Sequence, residues 1–408
     1  MSAEPVRARV LVIVQNTSLP RDRRVWQEAT SLVAAGYGVA AVCPKLNGFN
    51  RSVETIDGVT IHRFWLPFTA RGPLGFAFES VWCFLRTAVL TARIRFLGDG
   101  FDVLHVCNPP DTYWPLALVA RGLGARVVFD HHDLSPEMYR AKFGDRGRLA
   151  LRFLQLSEHL TFRAADIVLA ANESYKEVAT TRGRRCSDDV HVVRSAPALD
   201  RCPSTTRTQR PGHGRRPVIA YIGEISDQDG LDHLIRAVEI LRDRFGRTDI
   251  ECLVIGDGPH LASIEAYARE LGVSHLCTFT GWLSDDEWYP RLASADIGVE
   301  PIPRNDYSDK STMNKILDYM CVGLPIVAYD LEEHRRSAGD AAVYAQPNLE
   351  SDLAARIDGL LDDVDRRREM GEIGRRRFRD GLSWEHSAAV LLSAYDGLVA
   401  AETPSPPS

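Results

Sequence analysis

The stretch STMNKILDYMCVGLPIVAYD, residues 311–330, gathers hydroxyl, amide, ammonium and carboxylate side chains within one helix-length segment. A helix starting near Thr312 puts Asn314 and Asp318 at i,i+4 and Lys315 and Asp318 at i,i+3, so the three share one side. Unpaired backbone N–H groups at such a start, with Lys310 and Lys315 beside them, suit a diphosphate. Asp318, one turn deeper, suits the two hydroxyls of a ribose. The same residues also fit an ordinary helix, with Ser311 or Thr312 as its N-cap and Lys315–Asp318 as a surface pair. The stretch alone leaves both readings open. Only five of the 49 basic residues are lysine, and two of these, Lys310 and Lys315, flank the hydroxyl cluster.

Two further segments carry chemistry-bearing residues. VIGDGPH, residues 254–260, sets Gly256 and Gly258 between an apolar run and a helix beginning near His260. Glycines there let the backbone approach a ligand, and a helix start offers N–H groups to an anion. The segment lacks the full G-x-G-x-x-G pattern and a ribose-binding acid at the right distance, which speaks against a dinucleotide. Asp227–Gln228–Asp229 spells D-x-D, a pattern that can hold a divalent cation. A polar turn with Asp232 capping the next helix is the competing and preferred reading, so no metal is expected.

Short β-branched runs alternate with helical patterns along the chain. Strands are expected at 8–14, 38–43, 102–106, 125–130 and 166–170, then at 217–222, 251–255, 277–280, 296–300 and 325–329. Val25, Ala29, Leu32 and Val33 share one face of the first helix, and Leu234, Ile235, Val238 and Leu241 one face of a later helix. This βαβα alternation predicts an α/β protein of two Rossmann-like domains, each a parallel sheet covered by helices on both faces. Ligands of such sheets sit at the carboxyl ends of the strands, so two facing domains would enclose a cleft. The boundaries expected are 1–197 and 217–385 for the two domains, with the Pro-, Gly- and Arg-rich segment 198–216 as linker. A crossing helix is expected at 386–402 and a disordered tail at 403–408.

The chain has 408 residues and a formal charge of −6, which argues against a nucleic-acid partner. Eight scattered cysteines with no C-x-x-C pair read as reduced cytosolic thiols rather than a disulfide framework or metal site. No run reaches the roughly 18 uncharged apolar residues of a membrane span. Residues 63–96 crowd aromatic side chains beside arginines, the composition of a lipid-headgroup surface. Val81, Leu85, Ala88 and Ala92 recur at helical spacing there, as expected of a stripe packed on the first sheet.

VIGDGP, FTGWL (279–283), ASADIGVEP (293–301) and the 311–330 stretch, in that order and spacing, resemble the retaining GT-B glycosyltransferases of family 4. PRDRRVWQEATSLVAAGYGVAAVCP, FDVLHVCNPPD, VVFDHHDLSPE and RAADIVLAANES are similar to that family's N-terminal acceptor domain. SWEHSAAVLLSAYDGL is similar to its closing helix. The likeness spans roughly residues 8–398. It implies a nucleotide-diphosphate sugar held mainly by the C-terminal domain, no cofactor besides that co-substrate, and an acceptor held by the N-terminal domain. Asp318 matches the second carboxylate of the family's E-x7-E signature, which holds the ribose. Gly281 and Trp282 fall where the nucleotide base is expected, and His132 matches a histidine near the transferred sugar. Its neighbour His131 should point away by strand alternation.

Three departures accompany the likeness. The first glutamate of E-x7-E is Lys310, the family's diphosphate-binding Arg and Lys are Glu224 and Asp229, and SLPRDRRVW replaces a glycine-rich turn. Replacement cations are expected among Lys310, Lys315, Arg304, Arg21 and Arg23, with Asp133 on the acceptor or phosphate side. The likeness therefore implies a metal-independent retaining transferase acting on a glycan, lipid-linked or secondary-metabolite hydroxyl. His132, Lys315 and Lys310 would be catalytic, and Gly256, Gly258, Gly281, Trp282, Ser311, Thr312, Asn314 and Asp318 would hold the donor. A cytoplasmic protein in weak contact with the inner face of the cell membrane is expected. Two other readings are a GT-B-shaped scaffold that has lost transfer, for which Glu224, Asp229 and Lys310 speak, and a nucleotide-sugar epimerase.

Overall fold

Parallel strands covered on both faces need largely apolar runs, which most of the ten expected strands have. A computed structural model describes residues 6–46, 48–67, 72–144, 147–202 and 216–400, without the side chains of residues 72–74 and 76. The chain divides into two units, Met1–Ser195 with Ser387–Ser408, and Ala196–His386. The expected linker, for its part 203–215, and the expected tail lie outside the described residues.

The first unit runs β1 (Arg9–Ile13), α1 (Arg23–Ala34), β2 (Gly38–Pro44), β3 (Val53–Ile56), β4 (Val59–Phe64), α2 (Gly72–Leu97) and β5 (Val103–Cys107). It continues α3 (Trp114–Gly122), β6 (Arg126–His131), α4 (Ser135–Phe143), α5 (Arg148–Ala164), β7 (Ile167–Ala170), α6 (Glu173–Thr181) and β8 (Val190–Val192). Its sheet has the order β3-β4-β2-β1-β5-β6-β7-β8, parallel except for the β3–β4 hairpin. That hairpin turns on Asp57 and Gly58, both at positive φ, a two-residue Asp-Gly signal present in the sequence but not read as strands.

The second unit runs β9 (Val218–Ile222), α7 (Leu231–Phe245), β10 (Glu251–Ile255), α8 (Leu261–Glu270), β11 (Cys277–Phe279), α9 (Asp285–Ser294) and β12 (Ile297–Glu300). Then come α10 (Asn314–Val322), β13 (Ile326–Tyr329), α11 (Glu332–Ala338), β14 (Ala342–Ala345), α12 (Glu350–Asp362), α13 (Val364–Arg377) and α14 (Trp384–Ala400). The sheet order is β11-β10-β9-β12-β13-β14, all parallel. Ile219 and Tyr221 of β9 enter one apolar core, and Val218, Ala220 and Ile222 enter the other. From Ser387 onward α14 belongs to the first unit, where Tyr395 meets His105 at 2.7 Å and Asp396 accepts from Tyr37 at 2.7 Å.

Strand order reverses between β1 and β5 in the first unit, and between β9 and β12 in the second. The carboxyl ends flanking these reversals are where doubly wound sheets hold ligands.

Two expectations are corrected. The side of α2 turned to the sheet carries Cys83, Thr87, Thr91 and Ile94, all buried, whereas Val81 and Leu85 of the expected packing stripe stand exposed. Apolar spacing alone cannot say which of two faces is covered. The reading of all eight cysteines as free thiols fails as well: Cys202 and Cys321 form a disulfide, with Cα atoms 5.1 Å apart. The partners are 119 residues apart, a pairing that only tertiary approach creates. Replacing both cysteines with serine should cost about 2–4 kcal/mol. A urea titration followed by near-UV circular dichroism should show that loss, and wild type in reductant should match the variant.

Candidate functional site

Helix α10 begins at Asn314, two residues later than expected, and its N-cap Met313 makes no side-chain capping bond. Ser311 and Thr312 therefore lie before the helix: the Ser311 hydroxyl donates to the Tyr307 carbonyl at 2.8 Å, and Thr312 to Glu333 at 3.3 Å. Asn314 is exposed, while Lys315 and Asp318 are buried, so the side expected to be shared is split by burial. Lys310 ends a short 3-10 turn, Ser308–Lys310, and is half-buried. Arg304 is paired with Asp309 at 2.8 Å.

Lys315 is the centre of the arrangement. Its Nζ lies 3.3 Å from Glu300 Oε2 and 3.6 Å from Asp229 Oδ1, and 4.7 Å from the centre of the Tyr221 ring. Burial works against its charge, but Glu300, Tyr221 and Asp229 outweigh that and hold its pKa well above the ordinary lysine value. Burial in turn raises Glu300, and Lys315 offsets only part of the rise. These groups come from the ends of β9 and β12, the turn after β9, and α10, at the reversal of strand order. Gly223, at φ +151°, leaves room for the lysine stem: a Cβ there would sit 3.1 Å from Lys315 Cε.

Asp229 stands where the resemblance expects a lysine, and the structure sets a lysine from another element against it. Its Oδ2 accepts from the Ser226 amide at 3.1 Å and the Ser226 hydroxyl at 2.6 Å. Asp227 and Glu224 are exposed. The cap of α7 is Gly230 in the left-handed region rather than Asp232, which lies inside the first turn.

Gly256 and Gly258 serve backbone packing. A Cβ on Gly256 would meet the Gly223 carbonyl at 1.9 Å, and one on Gly258 the Ile225 carbonyl at 2.4 Å. The two turns are bonded through Gly223 N to Ile255 O and Ile225 N to Asp257 O, and Gly256 N donates to Gly281 O. This brings Gly281 and the exposed Trp282 beside the turns that flank the Lys315 cluster.

The first unit holds its own polar cluster at the strand ends. Arg24 Nε lies 3.1 Å from both carboxylate oxygens of Asp130, with Nη2 at 2.6 Å, and Arg24 also donates to the Val193 carbonyl. Asp130 accepts from His132 Nδ1 at 2.8 Å. Glu28 lies 3.2 Å from Arg24 and 3.5 Å from His105 Nε2. Asn108 pins the turn after β6, accepting from the His132 and Asp133 amides at 2.9 and 3.1 Å. His131, as expected, points the other way, among Phe129, Phe162 and Tyr175 and 3.6 Å from Glu158. The guanidinium on Asp130 is Arg24's. Arg21 is exposed and Arg23 half-buried.

These contacts set the charges. Burial favours neutral Asp130, but Arg24 and His132 overcome it and hold the carboxyl well below the usual range. Burial lowers His132, and Asp130 reverses that, raising it to about 9. Glu28 is pushed up to about 8 by burial and by Asp130, with Arg24 opposing. His105 is pushed down to about 4, chiefly by burial. At neutral pH the exit of β6 thus presents an imidazolium. Arg24, Glu28, His105, Asn108, Asp130, Glu300 and Tyr221 were not singled out from sequence. The Arg24–Glu28 i,i+4 pair within the apolar period of α1 was the available signal.

Residues 22–196 match the family model described as "Glycosyl transferase 4-like domain", and residues 216–363 match "Glycosyl transferases group 1". Sucrose-phosphate synthase from Thermosynechococcus elongatus superposes with a TM-score of 0.77, at 18% identity, over 97% of this chain and 100% of that one. The fold is GT-B. Among curated sequences this GT-B chain is 29% identical over 188 residues to a 2-deoxystreptamine glucosyltransferase of Streptomyces kanamyceticus, covering 46% of this chain and 47% of the relative. It is 28% identical over 203 residues to a GDP-mannose-dependent alpha-(1-6)-phosphatidylinositol monomannoside mannosyltransferase of Mycolicibacterium smegmatis, covering 46% and 50%. The chain thus spans about half the length of the curated relatives it matches.

The raised His132 pKa makes stability depend on pH with a definite sign. The folded value, about 9, lies above the unfolded one near 6.5. The ion pair's contribution is therefore fully present below pH 6.5 and is lost as pH rises through about 9, an effect on the order of 3 kcal/mol. Urea midpoints between about pH 6 and 10 should fall along this window. In His132→Gln that part of the fall should disappear, leaving the same-signed slope that Glu28 contributes between about 4.5 and 8.

Proposed function

We propose that the protein is a retaining glycosyltransferase that moves a sugar from a nucleotide-diphosphate sugar to a hydroxyl of a glycan or lipid-linked acceptor. The observation that carries this reading is the buried Lys315 ammonium, held by Glu300 and Asp229 at the strand reversal of the second unit. Asp229 occupies a position where the resemblance expects a phosphate-binding lysine. Lys315 sets an ammonium from α10 against Asp229, so the acid at that turn is not left without a cationic partner. The names of the two curated relatives, a glucosyltransferase and a GDP-mannose-dependent mannosyltransferase, support the donor class.

In the proposed reaction the bond from the anomeric carbon to the β-phosphate oxygen breaks, and the acceptor oxygen bonds to that carbon on the same face. The acceptor's proton passes to the leaving diphosphate. The barrier lies in charge growing on the diphosphate as the anomeric carbon becomes oxocarbenium-like, so preorganised cations and N–H dipoles do the work. Lys315 and the first amides of α10 supply these in the second unit, with Lys310, Ser311 and Thr312 lining the approach. Asp318 accepts from the ribose hydroxyls, and Trp282 lies against the base. In the first unit the imidazolium of His132 donates to a sugar hydroxyl, its orientation fixed by Asp130. Such a mechanism needs no metal, and the compartment that provides nucleotide sugars is the cytoplasm.

Incubation with a panel of nucleotide sugars, with and without acceptor alcohols, tests the reading. Donor hydrolysis or transfer with retained configuration is expected, and it should persist in EDTA. A new epimer, or tight binding without turnover, would overturn it. Lys315→Ala would strand Glu300 as an unpaired buried charge, at about 3–5 kcal/mol. The cleaner comparison is Lys315→Met/Glu300→Gln against Glu300→Gln alone. The double variant should keep its fold and turn over about ten-fold or more slowly than the single one. Equal rates would remove Lys315 from the chemistry.

A further inference from the structure

Two opposite faces of helix α2 carry small or apolar residues. Cys83, Thr87, Thr91 and Ile94 lie buried along one of them. On the other, Phe78, Val81, Leu85, Val89 and Phe96 are each between 55 and 66% exposed. At 100° per residue these five fall within about 80° of arc, a stripe about 27 Å long at 1.5 Å per residue. Scattered exposed apolar residues are normal, but an unbroken stripe on one helix is not.

Two neighbouring helices repeat the feature. The connections β4–α2–β5, β5–α3–β6 and β6–α5–β7 all step the same way along the sheet, whereas β1–α1–β2 steps the other way. Right-handed crossovers therefore place α2, α3 and α5 in one layer on one side. In that layer α5 exposes Leu149 at 80%, with Phe153 and Leu156 at 56%, and α3 exposes Val119 at 59%.

The charge on these three helices is opposite in sign to that of the whole chain. The three helices carry seven arginines and two glutamates in a protein of formal charge −6. One of the two, Glu158, is buried and lies 2.7 Å from Arg182. Arg86 and Arg93 border the α2 stripe, and Arg148 and Arg152 alternate with the apolar residues of α5; all four are exposed.

We propose that the outer face of α2, α3 and α5 is a docking surface for a bilayer rich in anionic phospholipid. Apolar side chains at half exposure, bordered by arginines, suit an element that lies in the headgroup boundary with its cations among phosphates. No described helix is long and apolar enough to cross a membrane, so the protein would rest on the bilayer. A second copy of the chain fits poorly, because a two-fold contact would set these arginines against one another. The docking requires neither donor nor acceptor, so its outcome is separate from that of the transfer reaction.

Flotation of the full chain with vesicles of phosphatidylcholine and phosphatidylglycerol tests the proposal. Binding is expected at low salt, falling at high salt as headgroup attraction is screened, and absent with phosphatidylcholine alone. Leu85→Glu/Val89→Glu and Arg86→Glu/Arg93→Glu should each weaken it about ten-fold or more, with unchanged melting temperature and turnover of a soluble acceptor. Wild type that stays with the unbound fraction at low salt would overturn the proposal. So would binding that neither variant weakens, or a lipid-free dimer that the leucine–valine variant dissociates.

Discussion

A cation buried between two carboxylates constrains the whole carboxyl-end surface of the second unit. Burial disfavours the Lys315 charge, Glu300, Tyr221 and Asp229 together hold it, and the buried Glu300 carboxylate relies on that ammonium in turn. That mutual need fixes the end of β12, the turn after β9 and the first turn of α10 in one arrangement. The glycine turns fit the same constraint. Gly223 leaves room for the lysine stem, and Gly256 and Gly258 let the adjoining backbones touch where any Cβ would collide.

The first unit solves a similar problem in a different way. Asp130 is buried at the end of β6 and kept ionised by Arg24, reaching from α1, and by His132. The ionised carboxylate then makes His132 a cation and helps keep Glu28 neutral. One buried charge thus dictates the protonation of its neighbours. A histidine held in this way carries its proton at neutral pH and so can donate a hydrogen bond but not act as a base.

The Lys315 cluster gives a physical setting to one departure from the pattern of the family that the chain resembles. Substituting acids for bases at Glu224 and Asp229 would weaken anion binding if nothing else changed. Asp229 is instead paired with a lysine contributed by α10, which it shares with Glu300. Glu224, exposed to solvent, carries no such compensation and needs none. The same economy of lysine is visible in the rest of the chain, where arginine takes nearly every other basic position.

Ten of the fourteen described strands were legible in the sequence. All ten expected strands form within a residue or two, because a strand buried on both faces must be largely apolar and that pattern is local. Short or half-exposed strands such as β3 and β14 carried too weak a pattern, although the Asp57–Gly58 turn marked one of them. The residue types near the second unit's site were also legible, since a hydroxyl cluster beside two rare lysines is visible in one dimension. What Lys315 does there was decided only by tertiary structure: its partners lie 15 and 86 residues away, brought together by the reversal of strand order. The same holds for Arg24 on Asp130 and for Cys202 on Cys321, pairs of residues far apart in the chain. Helix α2 shows the limit most plainly. Its spacing revealed an apolar stripe, but which of its two faces meets the sheet depends on side chains elsewhere in the fold, and no local pattern encodes them.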